Sequence, residues 1–272
     1  MLKILRIIAV LEIGILIGGA LVCAADHEDQ DRERLPIEMV PPFAAAKYGF
    51  PDTGSIMVRD DFAIGYDGLL RYARWSLEKL DRVSLTDRVD RDGESFTVDP
   101  HVPDEFRATL ADYQESGYDR GHLACAADHR RSKRALRETF LLSGVAPQLP
   151  GFNRGCWKQL EEAVRRQALL PHIEAVYVLT GPLFIPVEHK LSIKTIGPHN
   201  VPVATHFFKS LLILHDDGEL EAATFVLPHS EWVARGSVLD AFGKYRTTID
   251  QLETWAGFDA WCKLDEDMEK IK

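Results

Sequence analysis

Cysteine is scarce in this 272-residue chain: there are four, and Cys23 lies in the apolar N-terminal stretch. Cys125, Cys156 and Cys262 remain, an odd number that excludes a full disulfide framework and leaves room for one pair beside a free thiol. As small hydrophobes they also suit a core. Internal repeats and long low-complexity tracts are missing too. With 46% hydrophobic and 27% charged residues, one globular domain of roughly 200 residues or a little more is the expectation. A basic excess is also absent, since the formal charge is -10. That is awkward for anything meant to hold a polyanion. The distribution softens the objection, because acidic runs sit near the ends, at Asp26 to Glu33 and Asp265 to Asp267. Between Asp119 and Arg137 six basic residues (Arg120, Arg130, Arg131, Lys133, Arg134 and Arg137) face only Asp119 and Asp128. Such a patch suits phosphate contact, and it equally suits a solvated helix face.

What is present at the N-terminus is a leader. Lys3 and Arg6 precede an apolar run from Ile7 to Ala25 that only Glu12 interrupts. A basic start, an apolar stretch and small residues at Ala24-Ala25 describe a secretory signal peptide over 1–25. An uncleaved anchor is the alternative, because the run approaches the ~20 residues that span a bilayer. The leader is neither Arg- and Ser-rich nor amphipathic, which argues against a mitochondrial presequence. The expectation is therefore an exported protein, periplasmic or secreted, with membrane attachment only if the leader stays. A charged and then Pro-rich linker over 26–43, a domain over 44–265 and a charged tail over 266–272 complete the division.

Within the domain, strand signals dominate. FAIGYDG is followed by ARWSLEKL, where Ala73, Trp75 and Leu77 alternate with Arg74, Ser76 and Glu78. Further strands are expected at Ala175–Phe184, His206–Leu214 and Ala222–Pro228, the last two joined by a turn at His215-Asp216-Asp217-Gly218. Helical signals cover Arg131 to Leu142, the stretch GCWKQLEEAVRRQALL, and YRTTIDQLETWAG with Gly257 as its stop. Hairpins among the strands point to an antiparallel sheet with packed helices, an α+β class.

One stretch carries chemistry. In GYDRGHLACAADHR, Arg120 and His122 are two residues apart and share a face on an extended strand. Gly121 between them lets backbone and substrate approach closely. An imidazole is largely neutral near pH 7 and can take a proton from water, while a guanidinium meets charge on phosphate oxygens. The bland alternative for His122 is a structural histidine. Asn153, in PGFNRGCWKQLEE, reads either as a helix N-cap or as an oxygen ligand for a hydrated divalent cation. Glu161 lies eight residues on, at a spacing of two helical turns, where it could orient metal-bound waters. Asp119 reads as the end of a strand, ahead of the alternative that it orients the arginine, Trp157 and Leu160 as core, and His199 and His206 as structural or exposed.

Tyr118-Asp-Arg-Gly-His122, Val145-Ala-Pro-Gln148 and Phe152-Asn-Arg-Gly-Cys-Trp157 with Leu160-Glu161 together resemble the DNA/RNA non-specific endonucleases of the ββα-metal fold, of the endonuclease G type. Lys47-Tyr48-Gly49, Ala111-Asp112-Tyr113, Val178 to Leu183 and Val201 to Lys209 extend the resemblance over most of the chain after the leader. It implies a central antiparallel sheet flanked by helices. It also implies His122 as general base, Asn153 as ligand of Mg²⁺ (or Mn²⁺), and Arg120 and Glu161 in support. Arg130, Arg131, Lys133 and Arg134 would track the phosphate backbone. DNA and RNA would be cut with little sequence preference to leave 5′-phosphates, and a homodimer is a further implication. The chain departs from the family at Gly144, where an asparagine is usual, and at Cys125. Glu94 falls near a position where some members carry a further arginine.

Two other readings stand beside this one. His122, Cys125, His129 and Cys156 can be read as the zinc set of a different hydrolase. An exported nucleic-acid-binding homologue without turnover is the other, motivated by Gly144 and the acidic net charge.

Overall fold

β-Branched and aromatic residues between turn signals give strands here, as the sequence leads one to expect. The computed structural model describes residues 43–86, 88–186, 190–231, 243–265 and 268. The expected leader over 1–25, nearly all of the linker over 26–43 and all but Met268 of the tail over 266–272 lie outside the described residues. In chain order the strands are β1 (Ser55–Val58), β2 (Phe62–Asp67), β3 (Tyr72–Leu80), β4 (Asp119–His122), β5 (Val145–Gln148) and β6 (Ile173–Leu183). They continue as β7 (Lys194–Ile196), β8 (Val201–Val203), β9 (His206–His215), β10 (Leu220–Pro228) and β11 (Arg246–Thr247). The α-helices are α1 (Arg82–Thr86), α2 (Leu110–Tyr113), α3 (Lys133–Thr139), α4 (Pro150–Phe152), α5 (Lys158–Ala168) and α6 (Ile249–Ala256).

Seven strands form one sheet in the order β1-β2-β3-β6-β9-β10-β11, with every pairing antiparallel. β4 with β5 and β7 with β8 make separate two-stranded ribbons. β3 pairs directly with β6, so everything between them in sequence, including β4, β5 and α5, is one excursion from a continuous sheet. The class is α+β with a central antiparallel sheet flanked by helices.

Alternation on β3 implied one buried and one solvated face. Both are buried instead: Ala73, Trp75 and Leu77 are inaccessible, and so are Ser76 and Glu78. Helices cover both sides of the sheet, so polar residues at the alternate positions are shut in. Consecutive residues of β9 show the two layers. Lys209 lies under the Trp157 ring, whereas Ser210 accepts from Trp261 Nε1 at 3.0 Å.

The helices start where capping chemistry permits. Ser132 Oγ accepts from Ala135 N at 3.0 Å ahead of α3, and Thr248 Oγ1 accepts from Gln251 N at 3.1 Å ahead of α6. Gly257 closes α6 at φ 71°, a left-handed C-cap. Ile249 and Leu252 are buried on α6 as expected, but Trp255 is 39% exposed.

Candidate active site

β4 ends at His122, and β5 fixes its position through the pairs Asp119 with Gln148, Arg120 with Pro147, Gly121 with Ala146, and His122 with Val145. Leu123 N donates to Gly144 O at 3.0 Å and carries the pairing one residue further. The pleat puts Arg120 and His122 on one side, where both meet Phe96. The Arg120 guanidinium stands 5.0 Å over the Phe96 ring, and the His122 ring centre is 5.0 Å from it. Phe140 closes on His122 edge-on at 5.1 Å and carries the Arg91 guanidinium 5.2 Å above its own ring.

His122 Nε2 is buried without a hydrogen-bond partner. Burial, then the Arg91 charge and then His129, push the imidazole pKa down to about 3. The ring is neutral across the physiological range, and its covered nitrogen is available to bond with whatever enters. A buried polar atom left unsatisfied costs about 1–3 kcal/mol, a strain that the fold bears at the centre of this cluster. Gly121 has a different role from the expected one. A Cβ there would come within 2.3 Å of Gln148 Cδ, so the glycine makes room for a buried side chain of β5, not for substrate.

The second element reaches β4 through Asp119. Its carboxylate accepts from Arg154 Nε at 2.7 Å and from Asn153 Nδ2 at 3.0 Å. Burial alone would raise the Asp119 pKa, but hydrogen bonds from Arg154 and Asn153, with the Arg154 and Arg120 charges, hold it below the usual carboxylate range. Asp119 is thus more than a strand end; it clasps the segment that carries Asn153. The N-cap reading of Asn153 does not hold. Asn153 N donates to Leu149 O at 2.9 Å inside a helical turn, and its side chain leaves the helix for Asp119. The two-turn spacing to Glu161 is also irregular. Asn153–Trp157 form a π-type turn in which Gly155 adopts φ -101° and ψ -111°, and α5 starts only at Lys158.

Glu161 lies on the first turn of α5. Burial pushes its carboxyl up to about 7, with Lys209 opposing, Asp128 and Glu78 adding to the rise, and a hydrogen bond with Cys125 opposing. Trp157 and Leu160 are core, as expected. His199 bonds Asp112 and His206 bonds Thr205, both structural contacts. The zinc set is not assembled. His129 Nε2 bonds Glu78 Oε2 at 2.7 Å, Cys156 Sγ faces Phe152 O and Cys125 Sγ meets Arg165. All three cysteines after the leader are free.

The basic patch is less basic in space than in sequence. Arg130 is spent on Val89 O, Arg131 on Asp61, Lys133 on Asp90 O and Glu94, and Arg134 on Glu138. Acidic groups from other segments, together with Glu138 on α3 itself, therefore cancel much of the local excess. Glu94 pairs with Lys133 and Arg137, while the guanidinium beside His122 comes from Arg91. Sequence reading missed Arg91, Phe96 and Phe140. Nothing in R-V-D-R-D-G-E-S-F marks Arg91 or Phe96, whose roles arise from a loop folding back over β4, and Phe140 reads only as the apolar end of α3.

A divalent cation fits the donors near β4. A carboxylate can only accept, so Asn153 must present its NH₂ to Asp119, which leaves the amide oxygen as the free end. Hard cations such as Mg²⁺ take oxygen ligands and keep several waters. Among the described residues no three His, Cys, Asp or Glu side chains gather as a ligand set. A cation held by this amide would therefore retain most of its water shell.

Comparison with known proteins identifies the family. The family model "DNA/RNA non-specific endonuclease" matches residues 41–267. Endonuclease G, mitochondrial, of Homo sapiens is 42% identical over 190 residues, covering 68% of this chain and 63% of that protein. The chain thus spans less than two thirds of the human relative. Endonuclease G, mitochondrial, of Caenorhabditis elegans is 36% identical over 227 residues, covering 80% of this chain and 72% of that protein. The solved structure of the EndoG/EndoGI complex superimposes with a TM-score of 0.77 at 33% identity, over 83% of this chain and 93% of that one.

These relatives overturn the expectation of an exported protein, and its membrane-anchored alternative with it, because both are mitochondrial nucleases. Among the described residues no helix is long and apolar enough to cross a membrane. A basic start and an apolar run favour a membrane-directed route without specifying the membrane, which is why the leader misled.

Proposed function

The chain belongs to the DNA/RNA non-specific endonuclease family, and from that premise we propose that it hydrolyses phosphodiester bonds of DNA and RNA, with His122 as general base and Asn153 as ligand of a magnesium ion. The observation that carries this reading is the buried, unpartnered Nε2 of a neutral His122 flanked by Arg120 and Arg91. A neutral imidazole can take the proton of an attacking water, worth roughly 10² to 10⁴ in rate. In the free protein the ring is a weak base. An anionic phosphodiester seated beside it opposes the effects of Arg91 and His129 and strengthens its hold on the proton.

Arg120 and Arg91 carry fixed positive charge on the aromatic plates of Phe96 and Phe140, where they meet the charge that grows on the phosphate oxygens. Asp119 fixes the Asn153 amide so that its oxygen is presented in one orientation. A divalent cation bound there supplies Lewis-acid stabilisation of phosphate oxygens. Glu161 would accept hydrogen bonds from that cation's waters. Arg131, Lys133 and Arg134 extend contact along the backbone, weakened by their acidic partners. Contacts to phosphate carry no base information, so selectivity for sequence should be poor.

The test is incubation of the purified chain with plasmid and with RNA, in Mg²⁺ and then with chelator. Metal-dependent nicking that disappears in His122→Ala is expected. Nucleic-acid binding without metal-dependent cleavage would replace the hydrolase with a binding homologue.

A further inference from the structure

Behind the site the sheet buries a charged layer that the chemistry above leaves unused. Ser76 on β3, Thr180 on β6 and Lys209 on β9 are successive register partners, so their side chains share one face of the three central strands. Glu78 follows on the same face of β3. These four are 0%, 0%, 2% and 1% exposed in the order named. Trp157, Glu161 and Arg165 come down on them from the α5 side, and Cys125, Asp128 and His129 from the segment after β4.

Most charges in this layer are paired. His129 bonds Glu78 at 2.7 Å, and Arg165 bonds Asp128. Lys209 is different. Its Nζ donates to Thr180 Oγ1 at 2.6 Å and stands 5.1 Å over the Trp157 ring, and among the described residues no carboxylate closes an ion pair with it. A hydroxyl and an aromatic face are thin compensation for a buried ammonium. The anion left to balance it is Glu161, four residues after Trp157 and so on the same side of the helix.

We propose that Lys209 is a positioning residue for the reaction: anchored by Thr180 and Trp157, its buried ammonium holds the Glu161 side chain where the site needs it. This rests on the hydrolase reading, since Glu161 matters only if the site works as described. Among the groups that act on Glu161, burial and the Asp128 and Glu78 charges favour the neutral acid, whereas Lys209 is foremost against it, helped by the hydrogen bond with Cys125. Arg165, one turn along α5, bears on the same carboxyl.

The experiment is steady-state cleavage by the full chain across pH. Wild type and His122→Ala test the functional reading alone. Lys209→Met is expected to lower kcat by about 10- to 100-fold, to leave KM nearly unchanged, and to move the acid limb of kcat to higher pH. On a Glu161→Gln background the same substitution should cost nothing more, because its target is gone. Equal losses on both backgrounds, or an unmoved acid limb, would overturn the proposal. If Lys209→Met does not fold, Thr180→Val frees the ammonium without removing it. A partial loss of kcat with a smaller shift of the limb is then expected, and a wild-type profile overturns the idea. A wild type that does not cleave counts against the functional reading. A cleaving wild type in which the Lys209 and Glu161 effects simply add counts against Lys209 alone.

Discussion

Asp119→Asn separates the two duties of the clasp between β4 and the Asn153 segment. The substitution keeps the shape and removes the charge. The Arg154 partner is 72% exposed, so solvent screens that ion pair and it adds little to stability. The bond from Asn153 is part-buried and charge-assisted, about 1.5–3 kcal/mol, of which a neutral acceptor would retain about 0.5–1.5. The net loss of stability should be about 1–2 kcal/mol, too little to unfold a domain of ordinary stability. The effect on turnover should be larger. A carboxamide at position 119 can donate as well as accept, so it no longer dictates which end of the Asn153 amide faces outward. Outer contacts of this kind typically cost 10- to 100-fold in activity or metal affinity, so a loss of about that size is expected. The assay is kcat against Mg²⁺ concentration, beside a thermal melt of the same preparation. An unchanged kcat and Mg²⁺ response, with the expected fall in stability, would show that the clasp is only structural and that the orientation argument is wrong.

Other expectations are briefer. Because the folded His122 pKa is depressed to about 3, the unfolded chain binds more protons than the folded one between about pH 6.5 and 3, and stability falls as pH drops through that window. Urea midpoints of His122→Leu at pH 7 and pH 4.5 should therefore differ less than those of wild type; an equal difference would contradict the burial of the ring. Glu161 has the opposite sign. Its folded pKa near 7 means that stability declines from about pH 4.5 upward. Glu161→Gln should then be more stable than wild type at pH 8 while cleaving more slowly, and a melt showing destabilisation at pH 8 would argue against it. Gly121→Ala should lose about 1–3 kcal/mol, since its Cβ meets the buried Gln148; a wild-type denaturant midpoint would refute that contact. Gly144→Ala, whose Cβ meets nothing within 4 Å, should melt and cleave like the parent.

Much of the sheet was legible because it is written in short-range signals. Phe62–Asp67, His206–His215 and Leu220–Pro228 are apolar runs bounded by turn residues, and each forms a strand at nearly the expected place. Burial on both faces was not legible, because Ser76 and Glu78 become interior only when α5 arrives from far along the chain. The same division holds at the site. Arg120 and His122 share a strand, so a two-residue spacing was enough to pair them. Asn153 looked like a cap because local rules favour that role, and only Asp119, on another segment, reveals the side chain's direction. Counting charges from Asp119 to Arg137 overstated the basic patch, since Asp61 and Glu94 approach from other segments and Glu138 pairs Arg134 from the next turn of α3.

The adjacency of β3 and β6 also sets a sequence of events during synthesis. A ribosome releases the hairpin and the Asn153 turn before it has made β6, the strand that completes the central pairing. Until then Leu123, Phe152 and Trp157, inaccessible in the finished protein, have only the β1-β2-β3 part of the sheet to rest on. Joining such distant partners is entropically slow. The nascent chain thus passes through a period when this segment is at its stickiest, and the sheet is completed only when that long closure succeeds.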